Sequence, residues 1–400
     1  MLSWDHSPSL ALMQRERAWV EVNLAAIAHN VRQICSLLAD QAALMAVIKA
    51  DAYGHGATTV AQAVLGAGAT WLGVATIPEG IELREAGIDA PILVLGANHT
   101  PEQIRAIAHW GLQPTLCTPR QALIFSETLA NLNDCPSLPV HLKLDTGMSR
   151  LGSAWQQAAE FAHLVHRLPN LEIASVYSHL ATADDPDPTI MNRQHQRFES
   201  AIAQIRAVGI NPPRLHLANS AATLADANLH YDLVRVGLAI YGLYPADHLR
   251  SVIDLKPALQ VKARVTQVKT ISPGTGVSYG HQFIADRELR MAVVGIGYAD
   301  GVPRNLSNRM NVLVRGQQVP QIGTVTMDQI MLDVSTVPDV QEGEVVTLLG
   351  RDGDRSISAD DWAKTLGTIS WEILCGFKHR LPRIAVNQPL SSIAVESQSP

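Results

Sequence analysis

The feature that most constrains the fold is a regular alternation of short apolar runs with longer helical stretches. The runs are rich in β-branched side chains and show no polar face, as strands buried on both sides do. Because helical stretches separate the runs, the sequence predicts a parallel α/β structure. The runs lie at residues 46–49, 72–75, 92–95, 113–117, 140–144, 173–178, 215–218 and 233–236.

Eight such runs within about 200 residues fit a closed (β/α)8 barrel of the TIM type. An open doubly wound sheet usually has fewer strands and ranks second. From residue 259 to 349, alternating strand-like segments separated by Gly, Pro and Asn turns predict a mostly antiparallel β domain. We therefore expect a loose extension (1–17), the barrel (18–245), the β domain (246–386) and a disordered tail (387–400).

Composition limits the possible partners. The chain has 400 residues, of which 47% are hydrophobic and 17% charged, as in a globular enzyme. Its net charge of -6 and its lack of basic runs argue against nucleic acid or an anionic membrane as a partner. The four cysteines form no C-x-x-C pair, so we expect no disulfide framework, no metal site and a cytoplasmic location.

One lysine stands where a barrel enzyme places its chemistry. Lys49 ends the first apolar run and is followed by Ala-Asp-Ala-Tyr-Gly-His-Gly. The carboxyl ends of barrel strands face the ligand, and a desolvated lysine there can act as a nucleophile or form a Schiff base. The alternative is a lysine that only caps the edge of a strand.

Two neighbouring strand ends are suited to a phosphate. Ser220 follows the seventh run at the start of a helix, and Gly237 follows the eighth, where it permits close backbone approach. A serine that merely caps its own helix is the commoner case for any single position. Two adjacent loops of this kind favour a phosphate site more strongly than one loop alone.

The chain resembles the bacterial alanine racemases, which depend on pyridoxal phosphate. The resemblance runs from about residue 19 to 383 through eight segments in the same order. They are AVIKADAYGHG, LKLDTGMSRLG, YSHLATAD, HLANSAA, VRVGLAIYGL, VSYG, GIGYADG and TMDQ. It implies a homodimer that interconverts L-alanine and D-alanine by a two-base mechanism on the cofactor and supplies D-alanine for peptidoglycan.

The residues present suit this cofactor. Pyridoxal phosphate needs a lysine, a phosphate cup and a partner for its ring nitrogen. Arg235, at the end of the eighth run, is a partner that does not give up its proton, so it leaves the ring nitrogen unprotonated and the ring a weak electron sink. A weak sink favours brief removal and return of the proton on Cα over transamination.

Return of a proton on the opposite face requires a second base, and Tyr279 in the β domain is the candidate. A phenol with a pKa of about 10 costs about 4 kcal/mol to deprotonate near pH 7, so nearby positive charge must lower that cost. His179 and Arg235 are candidate sources. For an isolated tyrosine after a Pro-Gly turn, packing is the plainer interpretation.

The fifth run carries two further cationic candidates. Arg150 would face the crevice, where its planar fork suits a carboxylate or a phenolic oxygen. Lys143 and Asp145 share one strand face, and Lys143 inside a barrel would be costly without a compensating partner.

The resemblance assigns a role to each of these positions. Lys49 would carry the cofactor and act as base for D-alanine, and Tyr279 of the partner subunit would act on L-alanine. Lys143 matches a lysine that is often carbamylated. The remaining roles are phosphate binding by Tyr53, Asn219, Ser220, Gly237 and Leu238, ring electronics set by Arg235 and His179, and substrate binding by Arg150 and the partner's Met327.

Two positions depart from the family pattern: Thr326 stands where many members have Cys, and His379 where some have Tyr. Two other functions remain open at this point. One is a broad-specificity racemase of the same fold, acting for example on serine. The other is a non-catalytic protein that only binds pyridoxal phosphate, and the presence of a β domain bearing Tyr279 argues against it.

Overall fold

A computed structural model describes residues 15, 17–132, 137–377 and 379–387. The chain divides into two compact units. One is His29–Pro257, and the other combines the described residues of Met1–Ala28 and Ala258–Pro400. In the described residues, no helix combines the length and the apolar character that a membrane crossing requires.

The unit His29–Pro257 is the predicted barrel. Its described residues form eight main parallel strands, which we number as barrel strands 1 to 8 in chain order. Strands 7 and 8 close the ring, because Asp232 N–H donates to Leu215 O (3.1 Å) and Arg235 N–H donates to Ala218 O (3.0 Å). The strands are Ala43–Val47, Trp71–Val74, Ile92–Ala97, Gln113–Leu116, Leu138–Asp145, Leu171–Tyr177, Leu215–His216 and Leu233–Val236.

Helices follow the barrel strands, and several begin where the sequence supplies a cap. Thr100 and Thr118 each accept a hydrogen bond from the backbone N–H three residues on, with a proline in the first turn. The helices of this part of the chain are Leu24–Cys35, Ala57–Ala67, Ile77–Glu85, Pro101–His109, Pro119–Ala130, Ala158–Arg167, Thr189–Ala207 and Ser220–Ala225.

The interior of the barrel has an apolar side and a polar side. Strands 1, 2, 3 and 8 contribute the packed cluster of Met45, Trp71, Leu93 and Leu233. Strands 4 to 8 instead direct polar side chains inward, at alternate positions as the pleat requires. Those buried side chains are Thr115, His141, Lys143, Ser175, Tyr177, His216 and Arg235.

The second unit is mostly antiparallel β structure, as predicted. Its main strands are Ala18–Asn23, Leu259–Ile271, Leu289–Val294, Asn311–Val314, Gln317–Ile322, Ile330–Asp333, Val345–Asp352, Arg355–Ile357 and Arg383–Val386. Strands Gly276–Val277 and Phe283–Ile284 form a separate two-stranded sheet. The helices Ala359–Leu366 and Ser370–Gly376 precede the last strand, which pairs in parallel with Ala18–Asn23.

The domain limits differ from those expected from sequence. Strand Ala18–Asn23 pairs with Leu259–Ile271, so it belongs to the β unit and not to the barrel. Arg17 is not part of a loose extension, because its guanidinium binds the fully buried Asp300 (2.8 and 2.6 Å). Asn387 accepts a hydrogen bond from Ala25 N–H (3.0 Å). The rest of the expected tail, and residues 1–14 and 16, lie outside the described residues.

Candidate active site

Lys49 stands directly after barrel strand 1, at its carboxyl end, as predicted. The four residues that follow it, Ala50 to Tyr53, all have left-handed helical dihedrals, with φ between 52° and 55°. For L-residues this conformation costs roughly 1–2 kcal/mol each, so it persists only where neighbouring groups hold it.

Two carboxylates hold this turn. Glu79, in the first turn of helix Ile77–Glu85, accepts hydrogen bonds from the N–H of Ala50 (2.7 Å), Ala75 (2.7 Å) and Thr76 (3.0 Å). Asp51 accepts from the N–H of Ala57 (2.7 Å), at the start of the next helix. The segment that presents Lys49 is therefore anchored to two helix starts.

The residues expected to bind phosphate lie on three loops. Ser220 Oγ accepts from the N–H of Gly237 (3.1 Å), which joins the ends of strands 7 and 8. A Cβ on Gly237 would lie 2.6 Å from Tyr53 Oη, so only glycine leaves room for that tyrosine. Asn219 caps the helix of Ser220 by accepting from Ala222 N–H (3.0 Å), and the buried Leu238 starts the next short helical turn.

The two terminal nitrogens of Arg235 are surrounded by acceptors. One terminal nitrogen donates to His216 Nδ1 and to His216 O (both 3.1 Å). The other lies within bonding distance of Ser178 O (2.7 Å), Leu217 O (3.1 Å) and His179 Nδ1 (3.1 Å). Burial lowers the pKa of Arg235 to about 10, so the guanidinium keeps its charge at neutral pH.

This arrangement fixes the proton on His179 and leaves one donor of Arg235 free. Arginine only donates, so His179 Nδ1 accepts and its ring proton is on Nε2. Burial, followed by the charge of Arg235, lowers the pKa of His179 well below its usual value, so the ring is neutral. Within the described part of the chain, the Nε–H of Arg235 has no protein acceptor, which suits a ring nitrogen that carries no proton.

Lys143 is a buried amine near the same charges. Its side chain lies over the ring of Tyr177, with Nζ 5.5 Å from the centre. Burial, and then the charge of Arg235, lower its pKa to about 8, with smaller effects from Arg150 and Lys49. Among the described residues no carboxylate lies within salt-bridge distance of it. The free-energy cost of burying a charged lysine, expected from the sequence, is therefore not offset by an acidic neighbour.

Arg150 lies at the rim beyond strand 5. It lines a cavity of about 440 Å³ together with Cys117, Asp145 and Gly152. Asp145 accepts from the backbone N–H of Gly147 (2.9 Å) and Ser149 (3.1 Å), which shapes the loop that carries Arg150. Lys49 and Arg150 follow the carboxyl ends of parallel strands 1 and 5, and Lys143 lies near the end of strand 5, so all three lie toward one end of the barrel.

Tyr279 and Met327 lie in the β unit and share one surface. The two residues are 74% and 53% exposed, and both line a concavity of about 1240 Å³. Thr324 Oγ1 donates to Tyr279 O and Ser278 Oγ donates to Thr324 O (both 2.8 Å), so the two loops are tied together. Both side chains are thus accessible on a single chain.

Sequence reasoning missed several members of the site. Glu79 gave no signal, because a carboxylate at the start of a helix is common. His216, Ser175 and Tyr177 could have been found from the alternation that identified Lys143, since each occupies an inward position of its strand.

Comparisons with known proteins agree with this geometry. Family models described as the N-terminal and C-terminal domains of alanine racemase match residues 22–245 and 258–385. A protein named alanine racemase from Nostoc sp. is 70% identical over 93% of this chain and 96% of its own length. Another of that name, from Synechocystis sp., is 64% identical over 94% of this chain and 100% of its own length.

Solved structures agree as well. Alanine racemase from Bacillus anthracis with bound L-Ala-P superposes with a TM-score of 0.88 at 36% identity, over 94% of this chain and 97% of that one. The enzyme from the D-cycloserine producer Streptomyces lavendulae gives 0.86 at 35% identity, over 93% and 98%.

A barrel of this kind, with a lysine at the end of strand 1 and an arginine at the end of strand 8, defines a pyridoxal-phosphate-dependent racemase, an isomerase. Both family models and the relatives point to one group within that class. The chain belongs to the alanine racemase family. The family, fold, enzyme class and cofactor predicted from sequence are therefore confirmed.

Proposed function

We propose that this chain interconverts L-alanine and D-alanine with pyridoxal phosphate held at the carboxyl end of the barrel. The observation that carries the proposal is the presence, at one end of the barrel, of Lys49 together with Arg235, whose Nε–H has no acceptor among the described residues. A racemase needs both a cofactor lysine and a proton-retaining partner for the ring nitrogen.

The residues that would hold the cofactor fit its chemistry. Ser220, the backbone N–H of Leu238 and the hydroxyl of Tyr53 would supply donors suited to a phosphate. Gly237 leaves room for Tyr53 beside them, and Asn219 fixes the helix start. Lys49 would carry the cofactor covalently. When bound, pyridoxal phosphate supplies an electron-withdrawing ring that makes the Cα proton of the amino acid more acidic.

Arg235 and His179 would limit how strongly that ring draws electrons. The Nε–H of Arg235 would donate to the ring nitrogen, and its pKa of about 10 keeps the proton on the guanidinium at neutral pH. His179, neutral with its proton on Nε2, adds no positive charge of its own. Both residues therefore favour a brief loss of the Cα proton over transamination.

Two bases would act on opposite faces of Cα. Lys49 Nζ would take the proton from D-alanine, and Tyr279 of the partner subunit would take it from L-alanine. Arg150, together with the backbone of the partner's Met327, would bind the substrate carboxylate. After one base removes the proton, the other returns one to the opposite face, which inverts the centre.

The proposed site therefore needs a homodimer. Exposure of Tyr279 and Met327 on a shared concave surface supports this, because both are available to a second chain. An interface that completes an active site would be isologous, so each dimer would contain two shared sites.

Lys143 is proposed to be carbamylated. Its pKa of about 8 leaves an appreciable share of neutral amine at neutral pH, and only the neutral amine reacts. The nitrogen would form a bond to the carbon of CO₂ and release one proton, which turns the buried amine into an anion facing the charges of Arg235 and Arg150. Carbon-13 NMR of protein incubated with labelled bicarbonate would detect the carbamate.

We further propose that the D-alanine made here supplies peptidoglycan precursors. A cytoplasmic location stays a prediction from the absence of paired cysteines in the sequence. Broad specificity would show as comparable turnover of serine, which assays with serine, lysine and arginine enantiomers would measure. A non-catalytic carrier would bind the cofactor and turn over none of them.

The test is a coupled assay for D-alanine made from L-alanine, with the absorbance spectrum of the bound cofactor recorded beside it. We expect turnover and a protein-bound cofactor band in the purified protein, and loss of both in Lys49→Ala. Tyr279→Phe should keep the band and lose most of the turnover. A bound cofactor without turnover of alanine would contradict the proposal, and unchanged turnover in Tyr279→Phe would remove that residue from the mechanism.

A further inference from the structure

A chain of buried hydrogen bonds continues from Arg235 through the barrel. His216 Nε2 lies 2.7 Å from Ser175 Oγ, and that oxygen lies 2.6 Å from His141 Nδ1. His141 Nε2 lies 2.7 Å from Gln113 Oε1. The three middle residues are completely buried, and strands 4 to 8 contribute one residue each.

The chemistry of the first member sets the direction of every bond. Arg235 can only donate, so His216 Nδ1 accepts and the ring proton of His216 is on Nε2. His216 then donates to Ser175 Oγ, whose own proton is left to donate to His141 Nδ1. The proton of His141 is therefore on Nε2, where it donates to Gln113 Oε1. A single donor-to-acceptor direction is therefore consistent with all four hydrogen bonds that join the five residues.

Both imidazoles are neutral, as this orientation requires. Burial, and then the charge of Arg235, lower the pKa of His216 well below its usual value. Burial and the charge of Arg214 lower that of His141 to about 3. Tyr177 covers the ring of His216 face to face, with centroids 4.6 Å apart. The His216 ring is therefore shielded from solvent.

We propose that Ser175, His141 and Gln113 are positioning residues that act on Arg235 through His216. Their directed hydrogen bonds hold the His216 ring with the lone pair of Nδ1 facing the guanidinium, which fixes the direction of its Nε–H. The opposite tautomer would turn an N–H toward Arg235 and push the guanidinium away. This inference deepens the proposed function, since it rests on Arg235 meeting the ring nitrogen of the cofactor.

The direct test is nitrogen-15 NMR of the full-length holoenzyme labelled at histidine. We expect both His216 and His141 to show a neutral ring protonated at Nε2, unchanged between about pH 6 and 9, a window that includes the usual histidine pKa of about 6.5. A ring protonated at Nδ1, or titration of either histidine in that window, would show that the hydrogen bonds do not run in the proposed direction. The NMR signals can be read whether or not the protein turns over alanine. Failure of this inference is therefore distinguishable from failure of the proposed function.

Ser175→Ala tests the positioning role, with Ser126→Ala as the matched control. Ser126 is also a barrel serine, and its buried hydroxyl donates one hydrogen bond, to Pro169 O (2.8 Å). Both variants lose one hydroxyl, but only Ser175→Ala should disturb the NMR signals of His216 and His141. It should also weaken binding of pyridoxal phosphate by about tenfold, a factor that corresponds to 1.4 kcal/mol. Equal behaviour of the two variants would overturn the role.

A second pair of variants changes only Gln113, the last residue of the hydrogen-bond chain. Gln113→Glu offers an acceptor alone and keeps the direction, whereas Gln113→Lys offers donors alone and opposes it. We expect the His216 signal to survive the first change and to shift or split in the second. If Gln113→Lys left the His216 and His141 signals unchanged, residue 113 would have no influence on the orientation of the two histidine rings.

Discussion

At the scale of single residues, Lys143 links the protonation of the barrel to its stability. The pKa of this amine falls from 10.5 in the unfolded chain to about 8 in the fold, mainly because the side chain is buried. Between these two pH values the unfolded chain binds the extra proton. The free energy of unfolding therefore rises as pH increases through that window.

Replacing Lys143 by Met should remove this dependence. Below about pH 8 the burial cost is fully present in the wild type, and it disappears toward pH 10.5, a change of about 3 kcal/mol. Urea unfolding at pH 7 and pH 10 in buffers free of CO₂ measures it. The wild type should gain stability relative to Lys143→Met as pH rises, and a constant difference would contradict the prediction.

Gly237→Ala should weaken cofactor binding while the fold remains. The new Cβ would lie 2.6 Å from Tyr53 Oη, and the Tyr53 ring packs against Tyr241 with centroids 4.9 Å apart. The hydroxyl must move away from the proposed phosphate site, which we expect to raise the Kd for pyridoxal phosphate by about tenfold. Titration of the purified variant followed by absorbance measures this.

Gly66→Ala provides the matched control. Gly66 lies within helix Ala57–Ala67 and a Cβ there would meet nothing within 4 Å. Alanine in a helix should raise the free energy of unfolding by up to about 1 kcal/mol and leave cofactor affinity unchanged. If Gly237→Ala bound the cofactor as tightly as Gly66→Ala, the crowding at Tyr53 would not matter for binding.

At the scale of elements, the turn after Lys49 depends on Glu79 in another element. The carboxylate accepts three backbone N–H groups, including that of Ala50 beside the lysine. Glu79→Gln replaces one acceptor oxygen by a donor, so at least one N–H loses its partner. We expect the free energy of unfolding to fall by about 1–3 kcal/mol.

Hydrogen exchange at Ala50 N–H should also become faster in Glu79→Gln, because the turn loses its anchor. Glu82→Gln, a change of the same kind at an exposed position of the same helix, serves as the control. Equal unfolding free energies and exchange rates in the two variants would show that Glu79 does not hold the turn.

The strands were predictable and this turn was not, for physical reasons. Burial on both faces gives barrel strands apolar runs that are visible in sequence, and each of the eight runs overlaps a barrel strand. The left-handed turn contains Ala, Asp and Tyr at positions 50 to 53, and of these only Asp adopts positive φ with any frequency. Contacts from Glu79 and Asp51 impose it, and no local pattern records such contacts.

The candidate site was predictable only in part, for the same reason. Lys49, Ser220, Gly237 and Arg235 follow strand ends, so their position along the chain indicates their place in a barrel. The pairing of Arg235 with His216 and His179 joins three different strand ends, and it depends on the order in which the barrel closes. Strand Ala18–Asn23 was assigned to the wrong unit because both of its partner strands lie more than about 230 residues away along the chain.

At the scale of the whole molecule, the proposed shared site predicts complementation between two inactive variants. A hybrid dimer of Lys49→Ala and Tyr279→Phe chains would contain one site with both native residues and one with neither. Random mixing makes half of the dimers hybrids, so we expect about a quarter of wild-type activity to return.

The assay mixes the two purified variants after dissociation and reassociation, and reassociated single variants are the controls. Sedimentation measures the oligomeric state beside it. If the dimers reform without any recovery of activity, Lys49 and Tyr279 act within the same chain or not together.

The turn that presents Lys49 also bears on chirality within the main chain. Its four left-handed residues have the backbone dihedrals that D-amino acids prefer. Ala50 is exposed, whereas Ala52 is fully buried, so position 50 is where a mirror-image residue could be accommodated. A semisynthetic chain with D-alanine at position 50 should keep the turn and lose part of its strain. The handedness of alanine thus matters both for the proposed substrate and for the backbone that positions the lysine.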